Sequence, residues 1–222
     1  MKIIAHIYND YTEKFGIPRQ SGMVGDLSRI VFEPEYRVPE AVRGLEAFSH
    51  IWLIWDFSLA HRDGWSPTVR PPVLGGNERM GVFATRSPNR PNPIGLSSVR
   101  LREVCLEGQD APYLIVEGAD LMDGTPIFDV KPYIQRDCHP DAKEGFNKAG
   151  ESRKLEVAIP QQQAGRIPED KLENIRTLLS LDPRPSYQHD PERIYGLSYG
   201  GLNIRFKVED CLLTVTSVEK ER

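Results

Sequence analysis

The chain has 222 residues and a formal net charge of −4, and 39% of its residues are hydrophobic. This length allows one large domain or two modest ones, each with a buried core. The N-terminus turns polar after seven residues, so we expect no signal peptide. No apolar stretch approaches the roughly 20 residues that a membrane-spanning helix requires, so we expect no membrane partner.

Three widely separated cysteines, Cys105, Cys138 and Cys211, form no CxxC pair. Such spacing provides neither a disulfide framework nor a zinc site, and it is typical of a reducing compartment. We therefore expect a cytoplasmic protein that binds no metal.

Positive charge is concentrated in one segment of this acidic chain. Between His61 and Arg102 there are seven arginines, two acidic residues and no lysine. An ordinary solvated surface would explain this composition. Arginine is also the side chain best suited to bidentate phosphate contacts and to stacking on bases, so the segment is a candidate phosphate-binding surface.

Residues 1–160 are predicted to form mainly short β-strands. Many short apolar segments separated by Pro and Gly are typical of antiparallel strands in a closed or nearly closed barrel. Within 98–106 the apolar alternation slips by one residue, which predicts a β-bulge. Pro39 predicts the start of a helical turn over 39–48. The predicted strands are 3–8, 28–32, 50–57, 81–85, 98–106, 113–119, 127–134 and 154–159.

Residues 161–222 are predicted to form a small α+β domain, because the apolar pattern changes there. Residues 168–181 predict an amphipathic helix that begins at Pro168 and carries one apolar stripe. Residues 202–208 alternate as a strand, with Arg205 on the face opposite to the apolar side chains. A tight turn at 209–210 then leads into a second strand.

The segment 83–98, FATRSPNRPNPIGLSS, is the most informative part of the sequence. Pro88, Pro91 and Pro93 fix the backbone and bias the preceding residues towards extended conformations, which displays Arg90 on a stiff frame. Composition alone favours a proline-rich structural turn. The string TRSPNRPNPIGLS, however, closely resembles the signature of the TrmO-type (TsaA-like, YaeB-like) methyltransferases.

Other strings resemble motifs of that family in the same order along the chain, namely GIPRQSG at 16–22 and DLMDGTPIFDVKPY at 120–133. The similarity continues through DPRPSY at 182–187 and RIYG at 193–196. This resemblance covers nearly the whole chain. It implies an S-adenosylmethionine-dependent enzyme with a β-barrel fold that works as a homodimer. The sequence agrees, because it lacks the GxGxxG motif and the βαβ rhythm of Rossmann-type enzymes.

The resemblance also implies a set of cofactor-binding positions. Their chemistry is suitable, because the ligand has an adenine, ribose hydroxyls and a carboxylate that an arginine fork can hold. On sequence grounds His61 could equally be a packed core histidine. The implied cofactor-binding residues are Pro18, Arg19, Gln20, His61, Arg62, Arg86, Leu96, Asp123, Gly124, Thr125 and Pro126.

The implied reaction transfers a methyl group to N6 of N6-threonylcarbamoyladenosine at position 37 of tRNA, next to the anticodon. This nitrogen is a poor nucleophile, so donor and acceptor must be held close together. Asp129 and His61 are candidate bases for removal of the proton. Positioning without a base is the alternative.

Candidate tRNA contacts lie on the proline-rich segment and in the C-terminal domain, since unpaired loops are read by stacking together with phosphate neutralisation. A structural cap or a dimer arm is the alternative role for this domain. Two other functions stay open at this point, a non-catalytic RNA-binding barrel and a cofactor-binding sensor. The candidate tRNA-binding residues are Arg90, Arg184, Tyr187, Arg193 and Arg205.

Overall fold

A computed structural model of the chain describes residues 1–150, 154–185, 188 and 190–221. The fold is mainly β, with a closed barrel followed by a smaller unit of four strands and two α-helices. None of the described helices is long and apolar enough to cross a membrane.

The strands in chain order are β1 (Ala5–Tyr8), β2 (Leu27–Phe32), β3 (His50–Asp56), β4 (Thr68–Val69), β5 (Met80–Gly81), β6 (Ile94–Cys105), β7 (Tyr113–Glu117), β8 (Pro126–Pro132), β9 (Glu156–Ala158), β10 (Tyr195–Tyr199), β11 (Leu202–Glu209) and β12 (Leu212–Lys220). Two α-helices, α1 (Gln161–Ala164) and α2 (Glu169–Ser180), precede β10. Short 3-10 turns span Pro34–Tyr36, Pro39–Val42, Leu45–Ala47, Ser58–Ala60, Pro72–Leu74, Val82–Ala84, Gln135–Asp137 and Gly145–Gly150.

Six strands form the barrel in the order β1, β2, β7, β6, β3 and β8, and β8 pairs again with β1. Every neighbouring pair is antiparallel. The predicted antiparallel barrel is therefore confirmed. The predicted bulge is also confirmed, because the register of β6 on β7 shifts between Leu101 and Glu103.

Two predicted elements differ from the structure, and the helical turn predicted over 39–48 is confirmed in 3-10 form. Residues 81–85 form the end of β5 and the 3-10 turn Val82–Ala84, since an apolar run this short does not distinguish a strand from a buried turn. Residues 39–48 form two 3-10 turns, the first of which begins at Pro39. Residues 154–159 do contain a strand, β9, but it pairs in parallel with β12 and so belongs to the second sheet.

The second unit is a sheet in the order β10, β11, β12 and β9, with α2 packed against it. The predicted apolar stripe is confirmed, since Ile175, Leu178 and Leu179 of α2 are buried in the same cluster as the inward side chains of the sheet. Arg205 is exposed on β11, as the alternation predicts.

The two units are joined through the long segment between β1 and β2. Tyr11 belongs to the core of the second unit and not to that of the barrel. Nearby, Asp10 forms an ion pair with Lys171 of α2. The backbone N–H of Ser198 donates to the carboxylate of Glu13 at 3.0 Å. On the barrel side, the N–H of Gly22 donates to Gly118 O at 2.8 Å, so this segment is held by contacts from both units.

Asp26 is the most deeply buried carboxylate at this junction, with 2% of its surface exposed. Burial raises the pKa of Asp26 to about 7, and the negative charges of Asp10 and Glu117 add to this increase. The nearby Tyr11 hydroxyl and backbone N–H groups lower the pKa in part without cancelling this increase. The folded chain therefore keeps a proton on Asp26 at pH values where an exposed aspartate has lost it.

We predict that Asp26→Asn reduces the dependence of stability on pH. Because the pKa of Asp26 is higher in the folded chain, the free energy of unfolding falls as the pH rises from about 4 to about 7, by at most about 1.4 kcal/mol per pH unit. Urea unfolding should show a decrease between pH 5 and pH 7 that is about 2 kcal/mol larger in the wild type than in the variant. Equal decreases would contradict the prediction.

Candidate active site at one end of the barrel

Six strand ends meet at one end of the barrel, because each strand runs opposite to its neighbours. Strands β1, β3 and β7 end there, and β2, β6 and β8 begin there. The connecting segments 9–26, 57–61, 85–93 and 118–125 therefore converge over this end. They include most of the three motif-like strings, which are far apart in the sequence.

A cavity of about 320 Å³ opens between these segments. This volume lies within the range of about 300–1,000 Å³ that is typical of small-molecule sites. Two aromatic rings of the cavity wall, those of Trp55 and Phe57, have centroids 4.2 Å apart. The lining residues are Lys14, Ile17, Pro18, Arg19, Trp55, Asp56, Phe57, Ser58, Leu59, Ala60, Arg86, Pro88, Asp120, Met122 and Thr125.

A chain of hydrogen bonds connects the cavity wall to the barrel interior. The indole N–H of Trp55 donates to the Ser97 hydroxyl at 3.0 Å. That hydroxyl in turn donates to the carboxylate of Asp120 at 2.5 Å. Gly95, opposite Trp55 in the neighbouring strand, leaves room for the indole, since a Cβ at this position would collide with the ring. The site of Asp120 is thus held in place by packed groups.

Asp120 is a partly buried carboxylate that faces the cavity. Burial raises the pKa of Asp120, although the hydrogen bond from Ser97 and the positive charge of Arg86 lower it in part. The cavity therefore holds a shielded carboxylate close to an exposed arginine. Such a combination suits a ligand that has both positive and negative groups.

The segment 118–125 is pinned to β1 and the residues after it. Thr125 N–H donates to Met122 O at 3.1 Å and Gly124 has a φ of 74°, which indicates a type II turn. The carboxylate of Asp123 accepts a hydrogen bond from the backbone N–H of Asn9 at 2.9 Å. Asp123 therefore stabilises the turn and does not line the cavity.

A second, wider pocket of about 540 Å³ adjoins the first, and the two share Ala60 in their walls. His61, Arg62 and Arg90 are among the residues that line it. His61 Nε2 lies 2.8 Å from Oδ1 of Asp56, which itself lines the first cavity. His61 is therefore an exposed residue with a carboxylate partner and not a packed core histidine.

The structure brings together six of the residues that the resemblance implies for the cofactor. Pro18, Arg19, Arg86 and Thr125 line the first cavity. The other two, His61 and Arg62, line the second. Leu96 is 60% exposed on the outer surface of the barrel. The implied residues that line neither space are Gln20, Leu96, Asp123, Gly124 and Pro126.

The two candidate bases occupy different places. Asp129 lies on β8 opposite Ile54 and forms an ion pair with Lys131 at 3.2 Å. Asp129 lines neither pocket, whereas His61 lies at their junction. The geometry therefore favours His61 over Asp129 as a group near a reacting atom.

The candidate tRNA contacts also separate into exposed and buried groups. Arg193 and Arg205 are exposed on the second unit, and Arg90 is partly exposed in the second pocket. Arg184 is only 9% exposed, and its Nε and Nη2 each donate to Asp182 at 2.8 Å. The guanidinium of Arg184 is thus engaged in an ion pair with Asp182, which the sequence did not predict. Tyr187 lies outside the described residues.

Asp120, Trp55 and Asp56 are site residues that sequence reasoning missed. Asp120 is the first residue of the string DLMDGTP, so the motif itself was a signal for it. The signal for Trp55 was its position near the end of the predicted strand 50–57. Only the pairing of β3 with β6 shows that the Trp55 indole reaches Ser97.

Two family models match the chain, the tRNA-methyltransferase O N-terminal domain over residues 6–138 and the TrmO C-terminal domain over residues 152–221. The chain is 41% identical over 230 residues to the tRNA (adenine(37)-N6)-methyltransferase of Escherichia coli (strain K12), which covers 97% of this chain and 96% of that protein. It is 39% identical over 213 residues to a putative S-adenosylmethionine-dependent methyltransferase RcsF of Pseudomonas aeruginosa, covering 91% and 90% of the two chains. A crystal structure of TrmO from P. aeruginosa superposes with a TM-score of 0.79 at 32% identity, covering 98% of this chain and 95% of that one. The chain therefore belongs to the TrmO family of tRNA methyltransferases.

Proposed function

We propose that this protein transfers a methyl group from S-adenosylmethionine to N6 of adenosine 37 in tRNA, and that this adenosine carries an N6-threonylcarbamoyl group. The cavity at the end of the barrel carries the proposal, because it joins the motif segments around Arg86 and Asp120. The names of the relatives support the same reaction, since they specify the adenine and the methyl donor.

The residues of the first cavity fit S-adenosylmethionine by their chemistry. The aromatic wall of Trp55 and Phe57 suits a flat adenine ring, and the guanidinium groups of Arg19 and Arg86 suit a carboxylate. The carboxylate of Asp120 lines the same cavity, and its ionised form suits a sulfonium or ammonium group. Bound here, the cofactor supplies an electrophilic methyl group.

The implied cofactor residues take different roles in this proposal. Pro18, Arg19, Arg86 and Thr125 contact the cofactor directly, because their side chains line the cavity. The neighbouring positions that line neither space keep these loops in shape through turns and backbone contacts. They are Asp123, Gly124 and Pro126, whereas Gln20 is an exposed neighbour of Arg19.

Leu96 and the remaining two positions extend the proposed site beyond the first cavity. His61 and Arg62 lie at the junction with the second pocket, where a substrate nucleoside would enter. Leu96 lies outside the barrel, so it reaches a ligand only where a second subunit completes the site. This position supports the proposed homodimer, and two-fold dimers are the commonest oligomers.

His61 is the proposed base for removal of the N6 proton. When Nε2 carries a proton and donates it to Asp56, Nδ1 stays free as an acceptor. Asp56 faces the first cavity and His61 the second, so the pair lies between the proposed donor and acceptor sites. The alternative is that close positioning of the two reactants suffices without a base.

The proposed partner, tRNA, is contacted through arginines on both units. Arg90 lines the second pocket, and Arg193 and Arg205 are exposed on the second unit. Arg184 is not part of this proposal, because Asp182 occupies its guanidinium.

The three cysteines are free thiols, which supports a cytoplasmic location.

We predict that the protein incorporates label from methyl-labelled S-adenosylmethionine into total tRNA. Incorporation should be far slower into an unmodified transcript, which lacks the threonylcarbamoyl group. Equal rates for both RNAs would refute the threonylcarbamoyl requirement. Binding of tRNA and cofactor without incorporation would instead indicate a non-catalytic RNA-binding barrel or a sensor.

We predict that Arg86→Ala weakens S-adenosylmethionine binding by about 1.5–3 kcal/mol, because a charged ligand group loses its partner. Titration calorimetry without RNA measures this change. Arg79→Ala is the matched control, since Arg79 lies in the same segment but donates to Thr68 and lines neither pocket. Unchanged affinity in Arg86→Ala would remove Arg86 from the site.

We predict that Arg205→Ala raises the KM for tRNA and reduces the slope of log affinity against log salt by about one, because one phosphate contact is lost. Arg43→Ala should leave both unchanged, since Arg43 is exposed on the barrel and pairs with Glu40. Methylation kinetics at several salt concentrations measure both quantities. Identical slopes in the two variants would show that Arg205 does not contact tRNA.

A further inference from the structure

Trp65 and Phe83 form an exposed aromatic pair beside the second pocket. Trp65 is 54% exposed and Phe83 is 73% exposed. Their ring centroids are 5.9 Å apart, with an angle of 30° between the ring planes. Two large adjacent rings in solvent are unusual away from binding surfaces, because burying them against a partner is favourable.

The backbone holds this pair in place. Strands β4 and β5 pair with each other, which brings the segments that carry Trp65 and Phe83 together. The N–H of Val82 donates to Pro67 O at 2.9 Å, and the Val82 side chain is buried. The 3-10 turn Val82–Ala84 therefore anchors itself through Val82 and leaves Phe83 on the surface.

The surroundings of the pair are suited to phosphate. Trp65 lines the second pocket together with Arg62 and Arg90. Neither arginine forms an ion pair within the part of the chain that the structure describes, although Asp63 also lines the pocket. Planar guanidinium groups without carboxylate partners are available for bidentate contacts to phosphate oxygens.

The proline-rich segment connects this surface to the cofactor cavity. Arg86 and Pro88 line the first cavity, whereas Asn89 and Arg90 line the second pocket. The two spaces also meet at Ala60. A nucleotide strand whose target base enters at this junction would thus continue over the pocket that Trp65 lines.

We infer that Trp65 and Phe83 form a stacking platform for an unpaired base of the anticodon loop next to the methylated adenosine, and that Arg62 and Arg90 contact the adjoining phosphates. The inference rests on the proposed function. Bases that leave the helical stack are recognised in single-stranded RNA by aromatic side chains, and arginines neutralise the backbone. A second copy of this chain fits less well, because a two-fold contact through this patch would place its arginines against one another.

Steady-state methylation kinetics test the platform. Trp65→Ala and Phe83→Ala should each raise the KM for tRNA about tenfold, with unchanged kcat and unchanged cofactor affinity, since each removes one stacking surface. Trp65→Phe should retain most of the wild-type KM. The matched control is Leu106→Ala, because Leu106 is an exposed apolar side chain that follows β6 at the opposite end of the barrel.

Tryptophan fluorescence provides a readout that does not depend on catalysis. Addition of an anticodon stem–loop RNA should quench the wild-type emission, because stacking on a base places the Trp65 indole against it. At saturating S-adenosylmethionine, which occupies the cavity that Trp55 lines, Trp65→Phe should abolish most of this quenching, since Trp52 packs against Tyr133. If the wild type methylates no tRNA, the proposed function fails while quenching still decides whether the platform binds RNA.

Two results would overturn the inference. In the first, the wild type methylates tRNA, and Trp65→Ala and Phe83→Ala have the same KM for tRNA as the wild type. In addition, RNA still quenches the fluorescence of Trp65→Phe. The second is a dimeric wild type and a monomeric Trp65→Ala variant in sedimentation, which would identify the pair as a contact between subunits. Quenching that depends on Trp65, together with an unchanged oligomeric state, supports the platform.

Discussion

Pairing of β8 with β1 closes the barrel, and the position of the candidate site depends on this closure. An open sheet would leave the edges of both strands unpaired and would allow the segments that follow them to separate. In the closed antiparallel barrel, alternate strands end and begin at the same rim. Residues as distant in sequence as Ile17 and Thr125 therefore face one cavity. The site is a consequence of topology, with the chemistry supplied by the loops.

Trp55 connects the barrel interior to the wall of the cavity. Its indole occupies the space that Gly95 leaves open in the neighbouring strand, and its N–H bonds to Ser97. Ser97 then orients the carboxylate of Asp120. A buried polar group without a partner would cost free energy, so this hydrogen-bond chain offsets much of the cost of shielding Asp120 from water. A core position thus controls the electrostatics of the site.

The second unit supports the barrel as well as extending its surface. It packs around Tyr11 and bonds to Glu13, and the same segment continues to the cavity residues Pro18 and Arg19. The strand β9 also contributes to the second sheet although it precedes residue 160. Cutting the chain after this residue would therefore expose an apolar core and loosen a loop that lines the cavity. Point substitutions on the exposed face, such as Arg205, separate recognition from folding more cleanly than truncation does.

The sequence by itself determined the antiparallel barrel, the bulge in β6, the helix over 168–181 and the exposure of Arg205, because each depends on local alternation or period. Its motifs also identified the loops that surround the cavity. Only the tertiary structure decided which side chains of those loops face the cavity. Asp120 faces it while Asp129 lies outside, and Arg184 is enclosed by an ion pair. The direction of a side chain relative to a cavity depends on strand partners that are distant in sequence, and local patterns carry no information about those partners.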